Sequence, residues 1–239
     1  MSENQKAFVV AAIVCVTCSL LLTAASSGLK DYQVRNMTID RHKNLLKSVG
    51  LIDSEKTYSP ETIETLYTAN IQSLWIDSAG RLIPESERGA RDLPVYLYIQ
   101  NNDIKAYIVP IDTTGLWGKI NGYLAIKNDG STIMGFTVYS HSETPGLGGE
   151  IERKWFQKNF EGKRIVNKDG QFVSVGVARG AVRDRIQSAQ QINFVDGISG
   201  ATLTGKYLSA GLKNVLQEYE PVSIKFRQHD ISRVPGVGN

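Results

Sequence analysis

The chain has 239 residues, of which 41% are hydrophobic, and carries a formal net charge of +3 at neutral pH. This length is enough for one compact domain with an extension, or for two small domains. Lysines and arginines are interleaved with acidic residues instead of forming a block, which argues against nucleic-acid binding.

The first predicted element is a membrane span. Residues 7–29 contain no charged residue, and about 20 apolar residues in a helix cross a bilayer core. A cleaved signal peptide is the alternative, because small residues follow at 23–27, but signal cores usually have only about 7–15 apolar residues. We therefore favour a retained single-pass anchor over residues 1–30. Cys15 and Cys18 lie inside it, where hydrocarbon disfavours reactive thiolates, so no disulfide or metal site is predicted.

The charges beside this span leave its orientation open. Five basic residues follow Leu29 within about one further helix length, which under the positive-inside rule places the large domain in the cytoplasm. That rule is weakest for long domains, which translocate largely regardless of charge.

Two helices are predicted next. Residues 31–50 place apolar side chains along one face among many charges, which indicates an amphipathic helix that stops at Gly50. Ser59 and Pro60 supply a cap and a first-turn proline for a second helix. Its apolar face is predicted to consist of Ile63, Leu66, Tyr67, Ile71 and Leu74. We assign residues 31–93 as a helical linker or N-terminal extension.

From residue 94 the apolar pattern has a period of two, which predicts β-strands. The predicted strands are 94–100, 105–110, 122–127 and 132–140, with a hairpin turn at 127–132. A helix over 150–160, a strand over 171–179 and a last helix from near Thr204 follow. Because strands arrive in runs, we predict an α+β fold with a mostly antiparallel sheet and flanking helices. Residues 94–225 would form this domain and 226–239 a tail.

The stretch DGISGATLTGKYLSAGL, residues 196–212, permits several interpretations. Its glycines and lysine match the start of a P-loop, but Tyr207 stands where a P-loop has the Ser or Thr that holds magnesium. The cluster of Ser, Gly and Thr is equally typical of a helix N-terminus. A third interpretation is that the hydroxyl of Thr202 serves as an attachment point.

A second loop, HSETPGLGG at 141–149, lies between a predicted strand and a predicted helix. Pro145 and Gly146 fit the middle of a type II turn. Its glycines allow the backbone to approach a flat ligand closely. Such a loop on a rigid scaffold is often a binding element.

Together these motifs resemble a known family. E-T-P-G-L-G at 143–148 and D-G-I-S-G-A-T at 196–202 are similar to the paired motifs of FMN-binding domains with covalently attached flavin. With the anchor and GLWGKINGYLAI at 115–126, the chain resembles the family of C subunits of sodium-translocating NADH:quinone oxidoreductases. The G subunit of the Rnf electron-transport complex is the near alternative. The resemblance covers about residues 100–217 and the anchor.

The resemblance implies a membrane-anchored flavoprotein subunit that carries electrons within an ion-pumping NADH:quinone oxidoreductase and has no NADH site of its own. A flavin transferase would use FAD to place FMN on Thr202 through a phosphoester. The implied location is the bacterial inner membrane, with the flavin domain on the periplasmic face. The implied partners are the other integral-membrane and redox subunits of the complex, with membrane lipid around residues 7–29.

The two motifs supply the predicted cofactor-binding residues. They are Asp196, Ser199, Gly200, Ala201 and Thr202 in one motif, and Glu143, Thr144, Pro145, Gly146, Leu147 and Gly148 in the other. We add Lys206, which follows the first motif in the last helix. The phosphodiester would lie at the start of the last helix, where free N–H groups and the helix dipole favour an anion. Ser199 would hydrogen-bond the phosphate and Lys206 would neutralise it. Glu143 and Thr144 would offer the ring polar contacts, and Leu147 an apolar one.

Other side chains have weaker assignments. Trp117 and Trp155 are candidates for packing beside the flavin, although burial in the core is the expected role of each. No acid–base or nucleophile constellation is visible, so no catalytic residue is predicted. The remaining alternative is an anchored binding or regulatory module that holds FMN non-covalently or not at all, and such a module would tolerate Thr202→Ala.

Overall fold

The computed structural model describes residues 2–53 and 55–231. The chain divides into two compact units between Asp40 and Arg41. It begins with helix α1, Glu3–Ser48, a continuous helix of 46 residues. Within the described part of the chain it is the one helix long and apolar enough to cross a membrane, judged by length and composition. The predicted helix over 31–50 is therefore the continuation of the apolar helix, and it ends, as predicted, just before Gly50.

The second unit begins with the end of α1 and with helix α2, Pro60–Asn70. Ser59 caps α2 as predicted, because its Oγ accepts a hydrogen bond from the Thr62 backbone N–H at 3.2 Å. The prediction that Ile71 and Leu74 extend this helix is wrong. Both residues belong to strand β1, Ile71–Ile76, in which Ile71, Leu74 and Ile76 are buried. Because side chains alternate along a strand, Ile71 lies on the opposite face of the sheet from Leu74 and Ile76. Spacings of three and four residues fit a helix, but here the helix ends at Asn70.

A six-stranded antiparallel sheet forms the centre of this unit. After β1 its strands are β2 (Leu82–Ile83), β3 (Leu93–Gln100), β4 (Asp103–Thr114), β5 (Lys119–Lys127) and β6 (Ile133–His141). The spatial order is β2-β1-β3-β4-β5-β6. The α+β fold with a mostly antiparallel sheet is thus confirmed. The segment 31–93, predicted to be a helical linker, contributes β1 and β2 to the sheet.

The remaining elements connect β6 to the C-terminal helices. They are a 3₁₀ turn (Gly148–Glu152), α3 (Lys154–Lys158), β7 (Gly176–Val177), α4 (Val182–Arg185), a 3₁₀ turn (Ser188–Asn193), β8 (Phe194–Val195), α5 (Thr202–Glu218) and α6 (Glu220–Arg227). The predicted helix over 150–160 is divided between a 3₁₀ turn and α3. The predicted strand over 171–179 is reduced to β7, because Ser174 adopts a left-handed conformation with a φ of 72°.

The main core lies between one face of the sheet and helices α5 and α6. Leu208, Leu212 and Leu216 of α5 are fully buried against sheet residues such as Tyr107 and Leu124. This packing fixes α5 on the sheet and thereby the position of its first residue, Thr202. Helix α6 crosses the predicted boundary at 225, and residues 232–239 of the predicted tail lie outside the described residues.

Candidate functional site

The start of helix α5 is the centre of the candidate site. Gly200 precedes it with a φ of 75°, a left-handed conformation that favours glycine. Ala201 is the N-cap residue, and no side chain caps the helix. The side chain of Thr202, the first helical residue, is exposed to solvent. An exposed hydroxyl therefore lies beside the uncapped N–H groups of an α-helix, where the helix dipole favours negative charge.

The 143–149 loop contains the predicted turn. Leu147 N–H donates to Thr144 O at 3.1 Å, closing a four-residue turn around Pro145 and Gly146. Gly146 has a φ of 73°, as the third position of a type II turn requires. Gly149 N–H also donates to Thr144 O, at 2.9 Å. The turn leaves the side chains of residues 144–147 at the surface.

The two motif loops contact each other. Leu147 Cδ2 lies 2.8 Å from the position that a Cβ atom would occupy on Gly200. A Cβ on Gly148 would lie 2.5 Å from Thr204 Oγ1, in the first turn of α5. The glycines of both motifs therefore allow a close approach of backbone and side chains, and the structure brings together motifs that are about 50 residues apart in sequence.

Glu143 connects three segments of this site. Its side chain is 4% exposed, and its Oε2 accepts a hydrogen bond from Thr204 Oγ1 at 2.6 Å. Its Oε1 accepts from the Trp117 backbone N–H at 3.0 Å, and its own N–H donates to His141 Nδ1 at 3.1 Å. Both carboxylate oxygens thus accept hydrogen bonds from the protein itself. Glu143 therefore holds the loops together instead of facing a ligand.

Apolar side chains are exposed around this junction. Trp117 is 69% exposed and Leu147 is 43% exposed. Leu203 and Tyr207 are also exposed, on α5, four residues apart and therefore on one face. Burial in the core, which we expected for Trp117 and Trp155, is wrong for both, since Trp155 is 48% exposed. Trp117 lies beside the motif because its backbone is bonded to Glu143.

The other predicted residues separate into exposed and structural positions. Ser199 and Lys206 are exposed, and Lys206 makes no ion pair with any described residue. Asp196 supports the preceding loop, because its Oδ1 accepts from the Val182 N–H at 2.7 Å at the start of α4. Ala201 is buried.

The sequence analysis did not identify Thr204 as a site residue. In the structure Thr204 is the partner of Glu143. A sign of it was present, because Thr204 lies four residues before Leu208 and so falls on the buried face of α5. A buried hydroxyl needs a partner. What the sequence lacked was the identity of that partner, which lies 61 residues away.

Comparisons with known proteins agree with this geometry. Residues 115–217 match the family of FMN-binding domains. The C subunit of the Na(+)-translocating NADH-quinone reductase of Yersinia pestis is 30% identical over 87% of this chain and 85% of its own length. The same subunit of Vibrio anguillarum is 31% identical over 85% of this chain and 86% of its own. The crystal structure of this subunit from Parabacteroides distasonis superposes with a TM-score of 0.69 at 29% identity, covering 82% of this chain and 96% of that one.

Proposed function

Because the chain belongs to the family of C subunits of Na(+)-translocating NADH-quinone reductases, we propose that it carries electrons within such a complex through FMN bound covalently to Thr202. NADH oxidation, quinone reduction and sodium passage then belong to the other subunits. The observation that carries the proposal is the exposed Thr202 hydroxyl at the uncapped start of α5, between Gly200 and Thr204, which the 143–149 loop approaches.

Attachment requires the hydroxyl as a nucleophile. In the proposed reaction a flavin transferase brings FAD to Thr202, and the threonine oxygen forms a bond to the phosphorus that carries the riboflavin part. The bond from that phosphorus to the bridging oxygen of the pyrophosphate breaks, and AMP leaves with that oxygen. The proton of the hydroxyl passes to solvent. Alanine lacks the oxygen and cannot react, whereas serine retains it.

The residues present fit the phosphodiester. It would keep one negative charge, and the first N–H groups of α5 are free of a side-chain cap to receive it. Lys206 lies one turn after Thr202, on the same face of the helix. It makes no ion pair with a described residue, so its charge is available to neutralise the phosphodiester. Ser199 offers a second exposed hydroxyl beside Gly200.

The flavin ring, when bound, supplies the redox chemistry. We assign its border to the exposed turn 144–147, in which Thr144 offers a polar contact and Leu147 an apolar one. The exposed indole of Trp117, whose backbone N–H donates to Glu143, is a further apolar surface. Glu143 and Gly148 act indirectly. The Glu143 carboxylate bonds to Thr204, and the absence of a side chain at Gly148 lets the loop approach the start of α5.

The proposed location of the protein is supported by α1 and by the family. Helix α1 is the candidate anchor by length and composition, with lipid surrounding residues 7–29. We place the second unit on the periplasmic face of the bacterial inner membrane. The other subunits of the complex would be its permanent partners and the transferase a transient one.

The test is in-gel flavin fluorescence after denaturing electrophoresis of chains co-expressed with a flavin transferase. We expect a fluorescent band near the chain mass of 26.4 kDa, absent in Thr202→Ala and retained in part in Thr202→Ser. Thr57→Ala, at another exposed threonine, is the matched control and keeps the band. A dark wild type with active transferase, or a fluorescent Thr202→Ala, would contradict covalent attachment at this residue and favour a non-covalent or flavin-free module.

A further inference from the structure

His141 lies at the base of the 143–149 loop, where β6 ends. It is the last residue of that strand and pairs with Ile120 of β5, so its backbone is fixed in the sheet. Its side chain is only 13% exposed. A largely buried imidazole needs hydrogen-bond partners for its two nitrogens, and the structure supplies one partner for each.

The His141 ring contacts the loop at both of its ends. At the first end the Glu143 N–H donates to His141 Nδ1 at 3.1 Å. At the other end a Cβ atom on Gly149 would lie 3.3 Å from His141 Cε1, so the absence of a side chain there lets the chain close against the ring. One imidazole therefore closes the base of the loop, while the Glu143 carboxylate bonds to Thr204 of α5.

The two hydrogen bonds define where the ring carries its proton. A backbone N–H can only donate, so Nδ1 must be unprotonated. The proton of the neutral ring is then on Nε2, which lies 3.3 Å from Glu152 Oε2. A carboxylate can only accept, so Glu152 favours that same tautomer. An imidazolium carries a proton on both nitrogens and could not accept from Glu143. The neutral ring with its proton on Nε2 is therefore the form that fits the loop.

We propose that His141 is a positioning residue for the flavin. Its imidazole holds the 143–149 loop to the end of β6, and the Glu143 carboxylate holds the same loop to the first turn of α5. The loop is thereby tied to the sheet and to the helix that begins at Thr202. Without His141 Nδ1 the Glu143 N–H would lack an acceptor inside the protein, a cost that opposes this arrangement of the loop. The role in positioning rests on the proposed attachment of FMN to Thr202.

Two substitutions separate the two nitrogens of the ring. The amide group of asparagine is bonded directly to Cβ, so in His141→Asn its oxygen can take the place of Nδ1 and accept from the Glu143 N–H. The amide group of glutamine lies one bond further out, so His141→Gln keeps a partner for Glu152 in the place of Nε2 and loses the acceptor for Glu143. The first measurement is hydrogen–deuterium exchange by mass spectrometry. It uses the full chain in detergent with Thr202→Ala, so that no flavin is attached.

We expect peptides covering residues 142–150 to exchange about tenfold faster in His141→Gln than in His141→Asn, because a buried donor without an acceptor costs at least the equivalent free energy. Glu152→Ala keeps Nδ1 but no longer favours one tautomer, so it should give a smaller increase. Peptides of the central strand β4 should not change. Equal exchange of residues 142–150 in the two His141 variants would overturn the proposal, since an acceptor at the place of Nδ1 would then not matter.

The second measurement follows flavin attachment in chains that keep Thr202. The time course of in-gel flavin fluorescence should be about tenfold slower for His141→Gln than for His141→Asn, the rate equivalent of the same free energy. Equal rates, in variants whose loops exchange at different rates, would overturn the role in positioning. A dark wild type with active transferase would instead contradict attachment to Thr202. Hydrogen exchange involves no flavin and would still decide whether His141 holds the loop.

Discussion

At the scale of single residues, the candidate site depends on how closely its two loops approach each other. Gly200 illustrates this, because two separate constraints act on it. Its φ of 75° disfavours any side chain. In addition, Leu147 Cδ2 lies only 2.8 Å from the position that a Cβ atom would occupy. At several other described glycines the positive φ is the one constraint, and a Cβ atom would have room. Gly162, for example, has a φ of 77°, and a Cβ atom added there would have no other atom within 4 Å.

This difference gives a matched pair of substitutions. We expect Gly162→Ala and Gly200→Ala to destabilise the second unit by similar amounts, about 1–2 kcal/mol, through backbone strain. Only Gly200→Ala should also displace Leu147 and slow flavin attachment to Thr202, by about tenfold if the displacement costs about 1.4 kcal/mol in the transition state. The measurement is the time course of in-gel flavin fluorescence in the two variants. Equal rates would show that the contact of the two loops does not matter for attachment.

Glu143 gives a second prediction at this scale. In Glu143→Gln the oxygen that faces Thr204 becomes an NH₂ group, so the Thr204 hydroxyl must accept instead of donate, and the hydrogen bonds to Trp117 and Thr204 both lose the charge of the carboxylate. We expect a loss of about 1–3 kcal/mol in the free energy of unfolding. Urea unfolding followed by tryptophan fluorescence measures it, since Trp75, Trp117 and Trp155 all lie in the second unit.

The control for this substitution is Glu161→Gln. Glu161 is an exposed carboxylate outside the two motifs and makes no ion pair with a described residue. Its replacement should change stability by less than about 1 kcal/mol. If Glu143→Gln were as mild as the control, the carboxylate would not be what holds the loops together.

The residues show where sequence reasoning succeeded and where it could not. The turn at 144–147 was predictable, because Pro-Gly restricts the local backbone whatever surrounds it. The direction of the Glu143 side chain was not, since its partners Trp117 and Thr204 lie 26 and 61 residues away. The exposure of Trp117 was missed for a similar reason. A large aromatic residue is usually buried, and only the position of its loop at the edge of the site decides otherwise.

At the scale of elements, helix α6 is held on the sheet by a partly buried polar cluster. Arg227 forms an ion pair with Glu220 and donates from Nη1 to Gly130 O at 2.8 Å. Tyr107 of β4 contacts Ser223 Oγ at 2.7 Å and stacks on Phe226 at 4.5 Å between ring centroids. Burial raises the pKa of Glu220 above its usual value despite the nearby guanidinium of Arg227, which acts in the opposite direction.

This raised pKa predicts a pH dependence of stability. Between the unfolded value, near 4.5, and the higher folded value, the native state binds more protons than the unfolded state. The contribution of Glu220 is therefore fully present below the unfolded pKa and is lost as the pH rises through the folded pKa. We expect the free energy of unfolding of wild type minus that of Glu220→Gln to fall as the pH rises from 4 to 7. Urea unfolding at several pH values measures this difference.

Glu218→Gln is the matched control for Glu220→Gln. Glu218 is two residues earlier, at the exposed end of α5. The difference between wild type and Glu218→Gln should stay nearly constant over the same range. A Glu220→Gln difference that is constant or increases with pH would show that the ion pair with Arg227, instead of burial, governs the charge of Glu220.

The elements also explain the errors of prediction. Strands β3 to β6 were predictable, because each contains a run of at least six residues rich in apolar side chains and is bounded by turn-forming residues. Strand β1 was missed because Ile71 and Leu74 suit a helix as well as a strand, and the decision depends on pairing with β3. The strand over 171–179 was shortened by the left-handed Ser174, a backbone conformation that a serine in the sequence does not indicate.

At the scale of the whole molecule, the two units differ in the surroundings that suit them. The apolar part of α1 is a candidate membrane span, whereas the second unit has its own sheet and core. The proposed attachment requires Thr202 and the transferase to be on the same side of the membrane. The basic residues after Leu29 oppose export, but long domains translocate largely regardless of flanking charge. The periplasmic placement therefore has a direct test.

That test uses single cysteines in a chain whose own two cysteines, Cys15 and Cys18, are replaced by alanine. Lys127→Cys places a thiol on an exposed turn of the second unit, and Gln5→Cys places one at the other end of the apolar helix. We expect a membrane-impermeant maleimide to label Lys127→Cys in spheroplasts and Gln5→Cys only in inverted vesicles. The opposite pattern would place the second unit in the cytoplasm. Flavin on Thr202 would then require a cytoplasmic transferase, because attachment can occur only where the enzyme, FAD and the threonine meet.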